Sequence, residues 1–298
     1  MTIDFILVAY GKYDYARLCV HSIEKYWSDI DYNIYVVVNY TDILEIEKCK
    51  KLLHKYNNVT VLKGIDQSNT IITNSHGSIT QKLGTNAPGY PINIKIGKVD
   101  NCQIAAGSWY GAWSTNIGIN AGSAEYVCVL DHDTIFLNEY AKKLLQVDFD
   151  KTKFVSNRWC PGSVFTHINT SKWEDGMARP MLLICKRDLY NEIESEKYVE
   201  KNIWTSSPWN CDYRDMGGMM TWYSNQKGYQ YKILKNSYRD RFRTDNGLWK
   251  QHLIDISYGE QAWLDDVPIF FHATRSGYRT TTAYNEWINK AEKYLDIN

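Results

Sequence analysis

Three short apolar runs alternate with two amphipathic segments at the start of the chain, and this order constrains the fold more than any other feature. The runs Ile3–Tyr10, Asn33–Tyr40 and Val59–Leu62 are rich in β-branched residues and predict buried strands. Between them, Tyr15–Trp27 and Asp42–Lys55 carry apolar residues at helical spacing. This alternation predicts an α/β fold with a Rossmann-like, mostly parallel sheet flanked by helices.

Length and charge limit the classes of protein to which the chain can belong. With 298 residues, 44% of them hydrophobic and 23% charged, it can bury a sizeable core. No apolar stretch approaches the roughly 20 residues that span a bilayer, so no transmembrane segment is expected. The 34 basic and 34 acidic side chains cancel, which argues against a nucleic-acid partner bound through bulk charge. Peripheral contact with a membrane is compatible with this balance.

The cysteines and the first residues bear on the cellular compartment. Seven cysteines lie scattered without a CxxC pair, which fits reduced thiols better than a disulfide framework or a zinc site. The N-terminus has no basic region, and its apolar run is too short for a signal peptide. We therefore expect a soluble, cytoplasmic protein.

Residues 64–103 interrupt the alternation of strands and helices. The segment is rich in Ser, Asn, Gly, Thr and Pro without a sustained period, so it is either a surface excursion or a lid. Helical spacing returns over 105–121, and Tyr126–Leu130 predicts another strand. Further on, the pattern predicts strands at 153–156, 181–185, 229–234 and 267–271 and helices at 189–197 and 216–226. No repeat or linker divides the chain, which predicts one domain over 1–298.

Asp131-His132-Asp133 follows the predicted strand Tyr126–Leu130 without a break. In an open α/β sheet the carboxyl ends of the strands form the ligand crevice, so this position favours a functional role. Two carboxylates one residue apart on an extended segment face opposite ways, so a turn is needed for both to reach one ion. Such a pair suits a hard divalent cation that also holds phosphate oxygens, and the alternative is a solvated loop with two acids.

Two motifs lie in order between Ser114 and Thr134: Ser-Thr-Asn-Ile-Gly-Ile from Ser114 and Tyr-Val-Cys-Val-Leu-Asp-His-Asp-Thr from Tyr126. Together they resemble nucleotide-sugar glycosyltransferases of the GT-A fold and are most similar to the pattern of family 2-like members. The first strand and the segment Leu-Cys-Val-His-Ser-Ile from Leu18 are similar to the start of that family. The resemblance covers roughly residues 3–136 and continues more weakly to the C-terminus. It implies a GT-A (nucleotide-diphospho-sugar transferase) fold.

The same resemblance implies where the sugar donor binds. Ala9 and Tyr10 end the first strand and fall where such enzymes line the nucleobase pocket. Asn39 falls where the family often has an Asp, a departure that bears on base recognition. Asn116 matches an Asn that helps to shape the donor site, and Asp131 falls on the ribose and metal side.

Five residues are implied around a metal ion and the diphosphate it would hold. Asp133 matches the ligand of an ion that bridges two phosphates. Such an ion is needed because a leaving nucleoside diphosphate builds negative charge that a divalent cation offsets. Like Asp131 and Asp133, His272 is implied as a ligand, although a single His after a strand is more often structural. Imidazole suits Mn²⁺ better than Mg²⁺, so Mn²⁺ is the expected cofactor and Mg²⁺ the alternative. Arg275 and Ser276 follow in a loop that is implied to contact the diphosphate.

A second motif, Trp209-Asn-Cys-Asp212-Tyr-Arg-Asp215-Met-Gly217-Gly218, is implied on the acceptor side. Inverting members of the fold use an acid near the start of a late helix to deprotonate the acceptor hydroxyl, so Asp215 and Asp212 are catalytic candidates. An Asp before a helix is also a common N-cap, and both roles stay open for Asp215. Gly217 and Gly218 allow the backbone to approach an acceptor sugar, and Trp209 can stack on that sugar or pack in a core.

These residues together predict a metal-dependent glycosyltransferase that moves a sugar from a UDP-sugar to a glycan, lipid-linked sugar or protein, with inversion. Residues 1–136 are expected to bind the donor, with 64–103 as an insertion, and 137–298 the acceptor. One alternative is a haloacid-dehalogenase-type phosphatase with Asp131 as nucleophile and Asp133 as acid/base. Another is a non-catalytic carbohydrate-binding protein, which 11 Trp and 23 Tyr suggest.

Overall fold

The computed structural model of the chain describes residues 1–66, 79–81, 94–96, 103–104, 106–158, 178–195, 213–214, 218–240, 243–244, 248–256, 258–273 and 280–297. The strands are β1 (Thr2–Tyr10), β2 (Asp31–Tyr40), β3 (Val59–Asp66), β4 (Ile79–Gln81), β5 (Ile94–Ile96), β6 (Gln103–Ile104), β7 (Tyr126–Asp131), β8 (Thr134–Phe136), β9 (Thr152–Arg158), β10 (Ala178–Lys186), β11 (Tyr213–Arg214), β12 (Gln230–Asp240), β13 (Arg243–Thr244), β14 (Gly259–Leu264) and β15 (Val267–His272). The α-helices are α1 (Asp14–Trp27), α2 (Leu44–Leu53), α3 (Ala106–Ala121), α4 (Arg187–Ser195), α5 (Gly218–Lys227) and α6 (Thr281–Leu295), and 3₁₀ helices span Glu139–Gln146 and Leu248–Gln251.

The N-terminal part of the main sheet is parallel, as the sequence predicts. Strands β3, β2, β1 and β7 lie side by side in that order, and all three pairs run parallel. Residues 3–7 of β1 are all buried because crossover helices cover both faces of such a sheet. Phe5 and Leu7 pack with residues of α1 and α2, whereas Ile6 packs on the other face with Ile119 of α3. The predicted α/β class is therefore confirmed.

Helix α3 approaches this parallel part closely at Gly118. A Cβ at that position would lie 2.5 Å from Cγ2 of Ile6 and 3.1 Å from Cγ2 of Val37. A larger residue would push the helix away from β1 and β2, because the neighbouring side chains are themselves buried. The glycine thus allows α3 to lie close to the sheet, and with it Ser114 and Asn116 of the same helix.

The sheet continues beyond β7 and curls back on itself. Strand β10 runs antiparallel to β7, and the order then passes through β9, β12, β14 and β15 to β8. Among these neighbours β9 and β12 are parallel, and the remaining pairs are antiparallel. Only two residues separate β7 from β8, yet β8 pairs with β15 at the other end of this path. The curl therefore brings the C-terminal strands to the carboxyl end of β7.

Helix α6 packs against α1 and against the curled part of the sheet. Trp287 of α6 is fully buried and stacks on Phe271 of β15, with 5.3 Å between the ring centroids. Arg17 of α1 forms an ion pair with Glu292 of α6 at 2.5 Å. These contacts hold the end of β15, at His272, against the N-terminal half of the chain.

A buried ion pair ties β1 to the start of α4. Asp4 has no exposed surface and accepts hydrogen bonds from Arg187 Nη2 at 2.6 Å and from the N–H of Ala124 at 2.9 Å. Arg187 also donates to the carbonyl oxygens of Ala124 and Ile119. A buried carboxylate needs such donors in place of water, so these residues fix β1 relative to the β10–α4 junction.

Strand β14 and helix α6 are among the elements that the sequence pattern did not predict. Strand β14 contains the polar residues Glu260 and Gln261, which interrupt the apolar pattern that predicts a buried strand. Helix α6 was not among the predicted helices. Strands β14 and β15 are joined by Asp265 and Asp266, both at positive φ, in a two-residue turn that more often carries Asn-Gly. None of the helices in the described ranges is long and apolar enough to cross a bilayer.

Candidate metal centre

A two-residue turn brings the carboxylates of Asp131 and Asp133 to one place. Asp131 is the last residue of β7, His132 and Asp133 form the turn, and Thr134 begins β8. Thr134 Oγ1 donates a hydrogen bond to the backbone oxygen of Asp131 at 2.6 Å, which closes the turn. The turn that the sequence argument requires is present.

The register of β15 on β8 brings His272 to the same turn. His272 lies opposite Thr134 across the two strands. The N–H of Ala273 donates to the backbone oxygen of Asp133 at 2.9 Å, which continues the pairing past the end of β15. A residue far away in the sequence is therefore held beside the two carboxylates by backbone hydrogen bonds.

The three side chains converge with a spacing that suits a metal ion. His272 Nε2 lies 3.1 Å from Asp133 Oδ1 and 3.6 Å from Asp131 Oδ2, and one donor atom from each residue lies within 4.8 Å of the others. The side chains of His272 and Asp133 are 3% and 5% exposed, whereas that of Asp131 is 33% exposed. Two carboxylates and one imidazole suit Mn²⁺ or a similar divalent ion. The residues present thus fit the implied metal, with two buried donors and one on the solvent side.

The electrostatic field of the cluster favours positive charge. Burial by itself lowers the pKa of His272, but the carboxylates of Asp133, Glu260 and Asp131 outweigh it and raise that pKa to about 9. Either a proton on the imidazole or a bound cation would be stabilised by the negative charge of these carboxylates. The negative field of the cluster therefore favours either a protonated imidazole or a bound cation.

Several of the residues expected to bind the donor lie at the same edge of the sheet. Val8 of β1 pairs with Asp131 of β7, and Tyr10 pairs with Asn39 of β2. Ala9 is buried, whereas Tyr10 is half exposed and presents its ring at the carboxyl end of β1. The edge thus offers an aromatic surface on the same side of the sheet as the carboxylates.

Asn39 forms part of the protein framework at this edge. Its Oδ1 accepts hydrogen bonds from Ser114 Oγ at 2.5 Å and from the N–H of Ile65 at 2.9 Å. A Cβ at Gly64 would lie 2.5 Å from the same oxygen, so the neighbouring strand needs a glycine there. Asn116 on α3 accepts a hydrogen bond from the Tyr190 hydroxyl of α4 at 3.3 Å. These contacts tie β2, β3, α3 and α4 together, and donor binding by the two asparagines stays a prediction.

The remaining predicted site residues fall largely outside the described ranges. Gly218 begins α5 as its first residue. The others lie in parts of the chain that the structure does not describe, so their roles stay predictions: Trp209, Asp212, Asp215, Gly217, Arg275 and Ser276.

Sequence reasoning missed Glu260, which lies beside the metal cluster. Its side chain is fully buried in β14, and its Oε2 lies 3.7 Å from His272 Nδ1. The one signal in the sequence is an acidic residue within the segment Gly-Glu-Gln-Ala-Trp-Leu that leads into the next apolar run. An isolated Glu gives no indication of burial, because Glu is usually solvated.

No protein-family model matches the chain, and no curated protein matches it significantly. Solved structures do resemble it in fold. Mannosyltransferase PcManGT from Pyrobaculum calidifontis, in complex with GDP-Man and Mn²⁺, is 12% identical with a TM-score of 0.42, over 99% of this chain and 70% of its own. Galactosyltransferase LgtC, with donor and acceptor sugar analogues, is 10% identical with a TM-score of 0.46, over 97% and 95%.

A third similar structure is a 4-diphosphocytidyl-2C-methyl-D-erythritol synthase from Anaerococcus prevotii, at 13% identity and a TM-score of 0.44. It matches over 78% of this chain and 87% of its own. Identities this low, with TM-scores below 0.5, indicate a likeness in fold alone.

Proposed function

We propose that the chain is a metal-dependent glycosyltransferase that moves a sugar from a UDP-sugar to a hydroxyl group of a glycan or similar acceptor, with inversion. The observation that carries the proposal is the convergence of Asp131, Asp133 and His272 at the carboxyl edge of the parallel strands. Ligands of open α/β sheets bind at this edge. A diphosphate and a divalent ion are the ligands whose charges match such a cluster.

The three donors divide into two buried ligands and one that faces solvent. Asp133 and His272 would hold the ion from the protein side, and Asp131 would hold it where the diphosphate enters. The bound ion would offset the negative charge that grows on the leaving nucleoside diphosphate. Tyr10, half exposed at the same edge, would stack on the nucleobase.

The acceptor side of the proposal rests on the sequence motif. Asp215 or Asp212 would accept the proton of the acceptor hydroxyl as general base, and Arg275 would bind phosphate through its planar guanidinium. The phosphatase alternative uses Asp131 and Asp133 but assigns no role to His272, whose Nε2 lies within 3.6 Å of both carboxylates. The metal-centred interpretation accounts for all three residues.

Thermal unfolding with and without Mn²⁺ tests the metal site. Wild type should be stabilised, since a ligand at a hundred times its Kd adds about 2.7 kcal/mol, whereas Asp133→Asn should gain nothing. Asp150→Asn is the matched control because that carboxylate is 85% exposed and pairs with Lys186 away from the cluster. A wild type that does not respond to Mn²⁺, or an Asp133→Asn variant that responds fully, would contradict the proposal.

The nucleotide and the stereochemistry have separate tests. With Mn²⁺ present, UDP should raise the melting temperature more than GDP, CDP or dTDP, and a larger effect of another nucleotide would replace UDP in the proposal. Slow hydrolysis of the UDP-sugar should release the inverted anomer, which proton NMR detects before the anomers equilibrate. Release of the retained anomer would overturn inversion while leaving the transferase proposal in place.

A further inference from the structure

Glu260 occupies a defined place relative to His272 in the curled part of the sheet. The two residues lie directly opposite each other in the antiparallel pair β14–β15. Side chains in this relation share one face of the sheet. Both are buried, at 0% exposure for Glu260 and 3% for the side chain of His272. The carboxylate therefore meets the imidazole without intervening bulk water.

Two amides orient the Glu260 carboxylate. Asn157 Nδ2 of β9 donates to Glu260 Oε1 at 3.1 Å, and Asn236 Nδ2 of β12 donates to the same oxygen. Asn157 is itself held, because its Oδ1 accepts a hydrogen bond from the N–H of Leu182 at 3.1 Å. With Oε1 anchored in this way, Oε2 faces His272 Nδ1 at 3.7 Å, within ion-pair distance.

The two ring nitrogens of His272 thus face different partners. Nε2 lies toward Asp133 and Asp131, and Nδ1 lies toward Glu260. An imidazole that binds a metal through one nitrogen carries its proton on the other, and a carboxylate beside that other nitrogen favours this tautomer. The arrangement therefore selects Nε2 as the nitrogen available to an ion.

We propose that Glu260 is a positioning residue, which sets the tautomer and the ring orientation of His272 so that Nε2 serves the metal cluster. The inference rests on the metal site of the proposed function. It also explains why a carboxylate is retained in a fully buried position, since a charge there is costly unless it is hydrogen-bonded and paired. Asn157 and Asn236 then act one step further out, by orienting Glu260.

Mn²⁺ affinity is the first test, measured from the EPR signal of free Mn²⁺. Glu260→Gln keeps the size and the acceptor oxygen of the side chain but removes its charge, and it should weaken Mn²⁺ binding about 10–100-fold, as loss of such a partner typically does. Asn236→Ala keeps the carboxylate and removes one amide donor, and it should weaken binding about two- to tenfold. This second variant maintains the test if Glu260→Gln does not fold.

A matched control separates positioning from general loosening of β14. Gln261 is the adjacent buried residue, and its side chain bonds the backbone of Leu253 and Gln251 instead of the cluster. Gln261→Ala should lower the melting temperature and leave Mn²⁺ affinity unchanged. A second readout is the ring tautomer, taken from nitrogen NMR of histidine-labelled protein with Zn²⁺ as diamagnetic probe. In the wild type the His272 signal should report a proton on Nδ1, and Glu260→Gln should lose this single tautomer.

The outcomes distinguish the inference from the function on which it rests. A wild type that binds no Mn²⁺ overturns both. Mn²⁺ binding that Asp133→Asn abolishes and Glu260→Gln leaves at the wild-type level overturns the role of Glu260 alone. Equal weakening by Glu260→Gln and Gln261→Ala, with the tautomer unchanged, also overturns it, because the effect is then one of strand stability.

Discussion

Replacing Asp4 by alanine tests how the fold is anchored between its first strand and α4. The substitution removes the buried acceptor of Arg187 Nη2, of the Ala124 N–H and of Asn33 Nδ2, at 2.6, 2.9 and 3.0 Å. Arg187 is only 15% exposed in its side chain, so water cannot replace the lost carboxylate fully. We expect a large loss of stability with the fold retained.

The magnitude follows from the groups that lose their partner. Removing one member of a buried ion pair costs about 3–5 kcal/mol. Arg187 keeps two carbonyl acceptors, which places its share near the lower end, at about 3 kcal/mol. The N–H of Ala124, on a residue that is 6% exposed, adds about 1 kcal/mol. The total of about 4 kcal/mol is a large part of the roughly 5–15 kcal/mol by which a protein is stable.

Urea unfolding followed by tryptophan fluorescence measures this loss in a double-mutant cycle. Asp4→Ala, Arg187→Met and the double variant should show a coupling free energy of about 2 kcal/mol or more, within the range seen for residues in contact. Asp29→Ala is the control, because the Asp29 carboxylate that pairs with Lys142 at 2.8 Å is 63% exposed, and an exposed pair contributes little to stability. A loss below about 1 kcal/mol for Asp4→Ala, or single effects that simply add, would refute the reasoning.

Two further predictions concern titration and reactivity. Burial first, and Arg239 second, lower the pKa of His252 from 6.5 to about 4. Because the unfolded chain binds this proton more readily, the free energy of unfolding should fall by up to about 3 kcal/mol as the pH drops from 6.5 to 4. In urea titrations at several pH values, His252→Asn should lose this part of the fall. A variant whose stability depends on pH as the wild type's does would contradict the lowered pKa of His252. Burial also raises the thiol pKa of Cys19, Cys49, Cys128 and Cys185. Iodoacetamide should therefore label these cysteines in urea but hardly at all in the native state, which site-resolved mass spectrometry measures. Labelling of the native protein at the rate of a free thiol would contradict this prediction.

The sequence by itself determined the parallel half of the fold and the carboxylate pair. The local sequence indicates which residues of a βα unit are buried. The β-branched runs Ile3–Tyr10 and Asn33–Tyr40 predict buried strands, and the helical spacing of apolar residues between them predicts a helix. Because the carboxyl ends of parallel strands share an edge, Asp131 and Asp133 could be placed at the ligand crevice from the pattern alone. The turn between them was likewise required by the geometry of an extended chain and is present.

Tertiary structure alone decided what surrounds those carboxylates. His272 reaches Asp133 because the sheet curls until β15 pairs with β8, a relation between distant segments that no local period records. Hydrogen bonds from Asn157 and Asn236 on two other strands offset the cost of burying the Glu260 carboxylate, so its environment depends on register across the sheet. The spacing of apolar residues along a segment indicates which of its residues are buried. Which other segments pack beside it depends on strand pairing between residues that are far apart in the sequence. The sequence pattern therefore indicated Asp131 and Asp133, and only the family resemblance implied His272, whereas nothing in the sequence indicated Glu260.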